Sequence, residues 1–123
     1  MKAPPRIASA EWEVMKIVWK RKSCSAQQVV DALAASSSWT PATVKTLLNR
    51  LLRKGALKFQ KSGKSYIYSP VWKEEQCRKL EAESFLDRVF GGALSPMLAH
   101  FVRSRRLGRE DLRELERILK ENK

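Results

Sequence analysis

Cysteine occurs only at Cys24 and Cys77 in this 123-residue chain, with no CxxC pair. That excludes a disulfide scaffold and a cysteine-built zinc site, and it fits a reducing compartment. His100 is the only histidine, so a metal site or a catalytic triad would lack its partners, and His100 reads as a surface or interface side chain. No glycine-rich loop precedes a helix, and no pair of carboxylates has the spacing of acid–base chemistry. Neither enzyme activity, metal nor cofactor is expected. Long hydrophobic runs are also missing. The stretch Val14–Trp19 is broken by Lys16, far short of the roughly 20 apolar residues that span a bilayer. No apolar h-region follows Met1-Lys2-Ala3-Pro4-Pro5-Arg6, so a secretory signal and membrane insertion are not expected. Residues 32–73 contain no acidic side chain at all.

What is present is positive charge. The chain carries 25 Lys+Arg against 13 Asp+Glu, a formal +12, with 43% hydrophobic residues, enough to build a core. A disordered basic tail is thereby excluded, and a small cytoplasmic protein with a polyanionic partner is implied. The charge is uneven. Residues 1–70 hold 13 of the basic side chains against Glu11, Glu13 and Asp31, while residues 71–123 hold 12 basic and 10 acidic. This asymmetry, with Pro70 as a break, divides the chain into a phosphate-facing domain at 1–70 and a nearly neutral one at 71–123.

Local signals set the elements. Ser9 is placed to cap a first helix, with Glu11 and Glu13 at its positive end and Trp12, Met15, Val18 and Trp19 as its core stripe. Ser25-Ala26-Gln27-Gln28 is a capping box for a second helix through Val29, Val30 and Leu33 to about Ala35. Thr40-Pro41 is a capping hydroxyl followed by proline at the first helical position. From there Val44, Leu47, Leu48, Leu51 and Leu52 share a face, and Gly55 ends the helix. The opposite face carries Ala42, Thr46, Asn49 and Arg53, flanked by Thr43, Lys45 and Arg50. A merely solvated helix intersperses glutamate with lysine, and this one does not. Residues 57–61 and 64–68 alternate as strands, with Ser62-Gly63 as the hairpin turn and Lys61 and Lys64 bracketing its tip.

Three helices, the third polar and basic, followed by a cationic hairpin make a winged helix-turn-helix. In that arrangement the third helix enters the major groove of double-stranded DNA and the wing rests on the backbone. The fold class is therefore mostly α with a small β-wing. Beyond Pro70, helices are expected from about Lys73 to Phe90, from a Ser95-Pro96 cap through Val102, and from Arg109 to Glu121. Their apolar positions are Cys77, Leu80, Phe85, Leu86, Val89 and Phe90, then Met97, Leu98 and Phe101, then Leu112, Leu115, Ile118 and Leu119. Three helices this short cannot bury such faces alone, so a helical dimerisation domain is expected. The Lys20-Arg21-Lys22 run before Cys24 could lower that thiol's pKa and make it a redox switch; the plainer reading leaves it inert. A nonspecific or architectural nucleic-acid-binding winged helix, without a linked protease, stays open beside sequence-specific binding.

The residues also resemble the BlaI/MecI penicillinase-repressor family, which includes the copper-responsive CopY repressors. The likeness rests on Ile7–Trp19, on Trp39–Leu51 with its Trp-Thr-Pro-Ala-Thr-Val core, on Lys54–Leu57, on Ser84–Gly92 and on Met97–Phe101. It implies a cytoplasmic bacterial repressor, homodimeric through its last helices, that binds a TACA/TGTA-type palindromic operator controlling a resistance or envelope-stress gene. The resemblance puts Thr40, Ala42, Thr43, Lys45, Thr46, Asn49 and Arg50 on the recognition helix, with Thr43 and Thr46 at base edges. Lys45 and Arg50 would take guanine or phosphate. Ser25, Arg53, Lys61 and Lys64 would hold the backbone. In the penicillinase branch a membrane sensor metalloprotease relieves repression by cutting an Asn-Phe bond, which here matches His100-Phe101. The C-terminal cysteine cluster of the copper branch has no counterpart, since the chain ends Lys120-Glu-Asn-Lys123; copper sensing of that kind is not expected.

Overall fold

The computed structural model describes residues 3–122; Met1, Lys2 and Lys123, counted in the charge balance above, lie outside the described residues. Six helices and three short strands separate into two compact units, residues 1–81 and 82–123. The division falls after Glu81 rather than at Pro70. Cys77, 2% exposed, packs into the core of the first unit, and Trp72 leans on the same core. Trp19 Nε1 donates to the Trp72 carbonyl at 2.9 Å, so the first turns of the helix after Pro70 belong to the first unit.

In that unit α1 (Ser9–Arg21), α2 (Ala26–Ala34) and α3 (Pro41–Lys54) enclose Val14, Met15, Val18, Val29, Val44 and Leu48, all at 0% exposure. The buried stripe of α1 is Val14, Met15 and Val18; Trp12 and Trp19 stand at its margin, ring centroids 5.6 Å apart. An indole needs a partner for its N–H, which favours the edge of a core over its centre. The N-cap of α1 is Ala8, not Ser9. The cap is supplied from Glu11, whose carboxylate accepts the Ala8 N–H at 2.8 Å.

The starts of α2 and α3 follow the sequence signals. Ser25 Oγ accepts the Gln28 N–H while Gln28 Oε1 accepts the Ser25 N–H, the reciprocal capping box. Thr40 Oγ1 accepts the Thr43 N–H at 3.2 Å, with Pro41 at the first helical position. At the far end Gly55 takes φ +81°, and the Gly55 and Ala56 N–H groups donate to the Leu52 and Leu51 carbonyls. This is a Schellman stop, which turns the chain directly into the wing.

The wing is β2 (Leu57–Ser62) paired antiparallel with β3 (Ser65–Pro70). Ser62 faces Ser65 across the ladder, so the turn is Gly63-Lys64, one residue later than the expected Ser62-Gly63. Gly63 has φ +63°, matching a type II′ turn, which requires its glycine at the first central position. The sequence alone did not reveal β1 (Cys24–Ser25). It pairs with β3, Cys24 opposite Tyr68 and Ser25 opposite Ile67, giving the order β1-β3-β2.

The helix α4 (Glu74–Phe90) runs on into the second unit, which also holds α5 (Leu94–Arg103) and α6 (Arg109–Glu121). The N-cap of α5 is Ala93 rather than Ser95, which puts Pro96 inside the first turn, where a missing N–H costs nothing. No residue among the described positions 82–122 is buried. Phe85, Leu86, Phe90, Met97, Leu98 and Phe101 are half-covered, while Val89, Leu112, Leu115, Ile118 and Leu119 are exposed. Leu80 belongs to the first unit. Among the described residues no helix is long and apolar enough to cross a membrane.

One polar contact crosses the core of the first unit. Glu11, 1% exposed, meets the Lys54 ammonium, which also donates to the Arg6 carbonyl at 3.1 Å. Lys54→Ala would leave a buried carboxylate without its cation and should cost about 2–3 kcal/mol, below the roughly 3–5 kcal/mol of fully buried pairs because Lys54 is partly solvated. Adding Glu11→Gln should recover part of that loss, since the neutral amide still accepts the Ala8 N–H. Urea denaturation of the two single variants and the double variant measures the coupling; additive losses would show that the pair carries no structural weight.

Candidate nucleic-acid interface

The outer surface of α3 consists of side chains that its core face has no use for. Thr43, Lys45, Thr46, Asn49, Arg50 and Arg53 are all exposed, as are Thr40 and Ala42. The threonines are partly occupied locally. Thr43 Oγ1 lies 3.1 Å from Thr40 Oγ1, and Thr46 Oγ1 donates to the Ala42 carbonyl at 3.0 Å. Their hydroxyl lone pairs and methyl groups remain available. Among the described residues Lys45, Arg50, Arg53, Lys61 and Lys64 form no ion pair. Lys54, on the same helix, is the exception, because Glu11 holds it. The basic residues of α3 thus divide into one that braces the fold and three whose charge is unspent.

A cleft of about 440 Å³ opens between α2, α3 and the wing, lined by Ser25, Gln27, Lys45, Asn49, Lys64 and Tyr66 among others. Four of the expected site residues, Ser25, Lys45, Asn49 and Lys64, therefore converge on one concavity. Thr43, Thr46, Arg50, Arg53 and Lys61 lie on the exposed surface outside it. The one-residue shift of the turn puts Lys64 inside the tip rather than on its flank, while Lys61 sits opposite Tyr66 on the ladder.

At the start of α2 the Ser25 N–H is engaged by Gln28, which leaves its hydroxyl proton to donate outward. Gln27 and Tyr66 were not singled out from sequence. Gln27 follows the cap in the first turn of α2, and Tyr66 shares a face of β3 with the buried Tyr68, so helix and strand periodicity carry the only available signal. Gln27 Nε2 donates to Asp31 Oδ1 at 2.9 Å, which holds the amide at the mouth of the cleft.

The two thiols stand apart from this surface. Burial pushes the Cys24 thiol above its ordinary value and outweighs the opposing effect of nearby Arg21. The basic run before Cys24 therefore does not activate it, and the redox reading is corrected: a buried, protonated thiol is a poor nucleophile. Burial raises Cys77 in the same way. Tyr68 is pushed up by burial and then by its neighbour Tyr66, so it stays a neutral phenol. Among the described residues no group of three or more His, Cys, Asp or Glu could hold a metal ion.

The profile of the family described as "Penicillinase repressor" matches residues 7–121. The chain is 39% identical to the penicillinase repressor of Bacillus licheniformis over 123 residues, all of this chain and 96% of that one. It is 32% identical to the methicillin resistance regulatory protein MecI of Staphylococcus aureus strain N315, covering 92% of each chain. The solution structure of monomeric Bacillus licheniformis BlaI in complex with the blaP half-operator is 42% identical with a TM-score of 0.54, covering 62% of this chain and 93% of that one. A three-helix core, a two-stranded wing and a match along nearly the whole length agree: the chain belongs to the penicillinase repressor family.

Proposed function

We propose that the protein is a homodimeric transcriptional repressor that binds a TACA/TGTA-type palindromic operator in the bacterial cytoplasm and is released by signal-dependent proteolysis of its second unit. The observation that carries this reading is the face of α3, where Lys45, Asn49, Arg50 and Arg53 stand exposed and free of acidic partners. Asn49 suits bidentate pairing with adenine, Arg50 and Lys45 suit guanine or phosphate, and the Thr43 and Thr46 methyls suit the thymine methyl. Ser25, Arg53, Lys61 and Lys64 contact phosphates and fix register. The 42%-identical relative solved with a half-operator supports this assignment of the first unit.

Self-association is supported by the second unit. Leu112, Leu115, Ile118 and Leu119 are 37–67% exposed on one helix, more apolar surface than a lone helix leaves in water. A second copy of the same helices is the economical cover, and it sets two reading heads on the two halves of a palindrome. The His100–Phe101 bond, the candidate cleavage site for a membrane sensor metalloprotease, lies inside α5. A protease takes its substrate extended, so α5 must first unwind. With no buried side chain in α5, such local opening costs little.

On duplex DNA carrying one TACA/TGTA palindrome, the full chain should bind about 10³-fold more tightly than to scrambled sequence. Arg50→Ala and Asn49→Ala should each weaken that binding by about tenfold or more with the oligomeric state unchanged. Lys61→Ala should lower the slope of log K against log salt by about one. Gel shifts against scrambled competitor measure all three; equal competition by scrambled DNA would instead indicate a nonspecific, architectural binder.

Leu115→Asp with Ile118→Asp should convert a dimer to a monomer in sedimentation equilibrium while the first unit keeps its fold. A monomeric unaltered chain at micromolar concentration would end the dimer assignment. In cells containing the cognate sensor protease, Phe101→Ala should block both cleavage and derepression; normal cleavage of that variant would move the site elsewhere.

A further inference from the structure

The wing carries two aromatic side chains for which the fold provides little cover. Phe59 is 51% and Tyr66 47% exposed, and their rings lie 4.7 Å apart at an interplanar angle of 53°. The ladder sets Phe59 opposite Tyr68 and Lys61 opposite Tyr66. Strand alternation therefore puts Phe59, Lys61, Tyr66 and Tyr68 on one sheet face. The base of that face is core, with Leu57 and Tyr68 buried. Its outer half extends past the core, and Tyr66 reaches the cleft that Lys45 and Asn49 also line. The Tyr66 hydroxyl has no hydrogen-bond partner among the described residues.

A cross-strand aromatic pair steadies a hairpin. That accounts for the contact between the rings, but not for leaving about half of each in water on the surface continuous with the α3 face. We propose that the Phe59–Tyr66 pair is a second reading element of the operator-binding surface, seated in the minor groove beside the half-site and selecting A·T base pairs there. This rests on the operator-binding reading of the first unit. Charge complementarity argues for DNA as the occupant. Lys61, opposite Tyr66, and Lys64, in the tip turn, stand beside the pair on its tip side, and no acidic side chain lies anywhere in residues 32–73.

With Lys61 and Lys64 on adjacent phosphates, the wing brings the neighbouring rings onto deoxyribose C–H groups, which form the walls of the minor groove. A phenyl ring offers no donor or acceptor, so it discriminates by shape and deformability. A·T pairs lack the guanine N2 amino group that obstructs the groove floor, and TA steps yield most readily to an inserted apolar side chain. The free Tyr66 hydroxyl adds a donor suited to adenine N3 or thymine O2 at the groove floor.

The test uses the full chain and duplexes that share one TACA/TGTA palindrome but differ in flanks, A·T pairs on both sides or G·C pairs on both sides. The unaltered protein should favour A·T flanks by about fivefold, near the lower end of single base-pair effects. Phe59→Ser with Tyr66→Ser should reduce that preference to less than about twofold while the discrimination of palindrome from scrambled sequence persists. Phe59→Tyr should retain the preference, and Lys61→Ala should retain it with a shallower salt slope. No flank preference in the unaltered protein overturns the proposal. So does an equal loss of affinity on both duplexes with a lowered melting midpoint, which would make the pair a hairpin brace and nothing more. Failure of the unaltered protein to distinguish palindrome from scrambled DNA would instead overturn the operator reading itself.

Discussion

A carboxylate with 1% of its surface exposed requires a counter-charge, and the arrangement of the first unit follows from where Glu11 finds one. Glu11 lies in the first turn of α1 and Lys54 in the last turn of α3, so each charge occupies the favourable pole of its own helix dipole. The pair joins the start of the first helix to the end of the third, and Lys54 holds the Arg6 carbonyl as well. Apolar contacts among Val14, Val18, Leu48 and Leu51 tolerate small sliding movements. A directional buried contact at the helix ends resists them, which is the specificity role that buried ion pairs serve best. The proposed placing of α3 side chains against base edges depends on such a fixed position more than on added stability.

The two units solve the burial problem differently. The first has a closed core drawn from α1, α2 and α3, the start of α4 and one residue from each of the three strands, with Schellman and capping-box contacts satisfying helix termini. The second has none, and its helices are held by partial contacts such as the Phe90–His100 pair between α4 and α5 at 6.5 Å. Its surface ion pairs, Arg117 with Glu114 and Glu121, are fully solvated and add little. Stability in the second unit must therefore come from outside it, and the proposed second copy supplies that.

How much of this was legible in the sequence depends on the range of the interaction involved. Thr40-Pro41, Gly55 and the Ser25–Gln28 box act within four residues, and all three appear in the structure as read. The exposed face of α3 was likewise fixed by local periodicity. The hairpin strands were visible from alternation, but the turn was misplaced by one residue because Ser62-Gly63 and Gly63-Lys64 both contain the glycine. Only cross-strand register decides between them. The strand Cys24–Ser25 exists because β3 lies beside it, and two residues carry no periodic signal. In the sequence Glu11 presents itself only as a dipole partner of α1; its burial depends on a lysine 43 positions away. The compact units part after Glu81 and not at Pro70 for the same reason, since nothing local in Cys77 distinguishes the core of one unit from that of the next.

The division of labour bears on how a cut could switch the proposed repressor off. A severed α5 leaves every contact of the first unit's core intact, so the reading head would survive cleavage as a folded monomer. What it would lose is linkage. Two heads tied together present the second to its half-site at an effective concentration in the millimolar range, which raises affinity by about 10²–10⁴ without any new contact. Cutting the tie returns each head to its half-site affinity and lets ordinary salt screening of its phosphate contacts do the rest. A marginal second unit is then what the proposed switch requires: covered by a second copy it would hold a dimer, and opened briefly it would expose a bond that a tightly packed helix would protect. A well-buried core in residues 82–122 would have made a more stable protein and a worse switch.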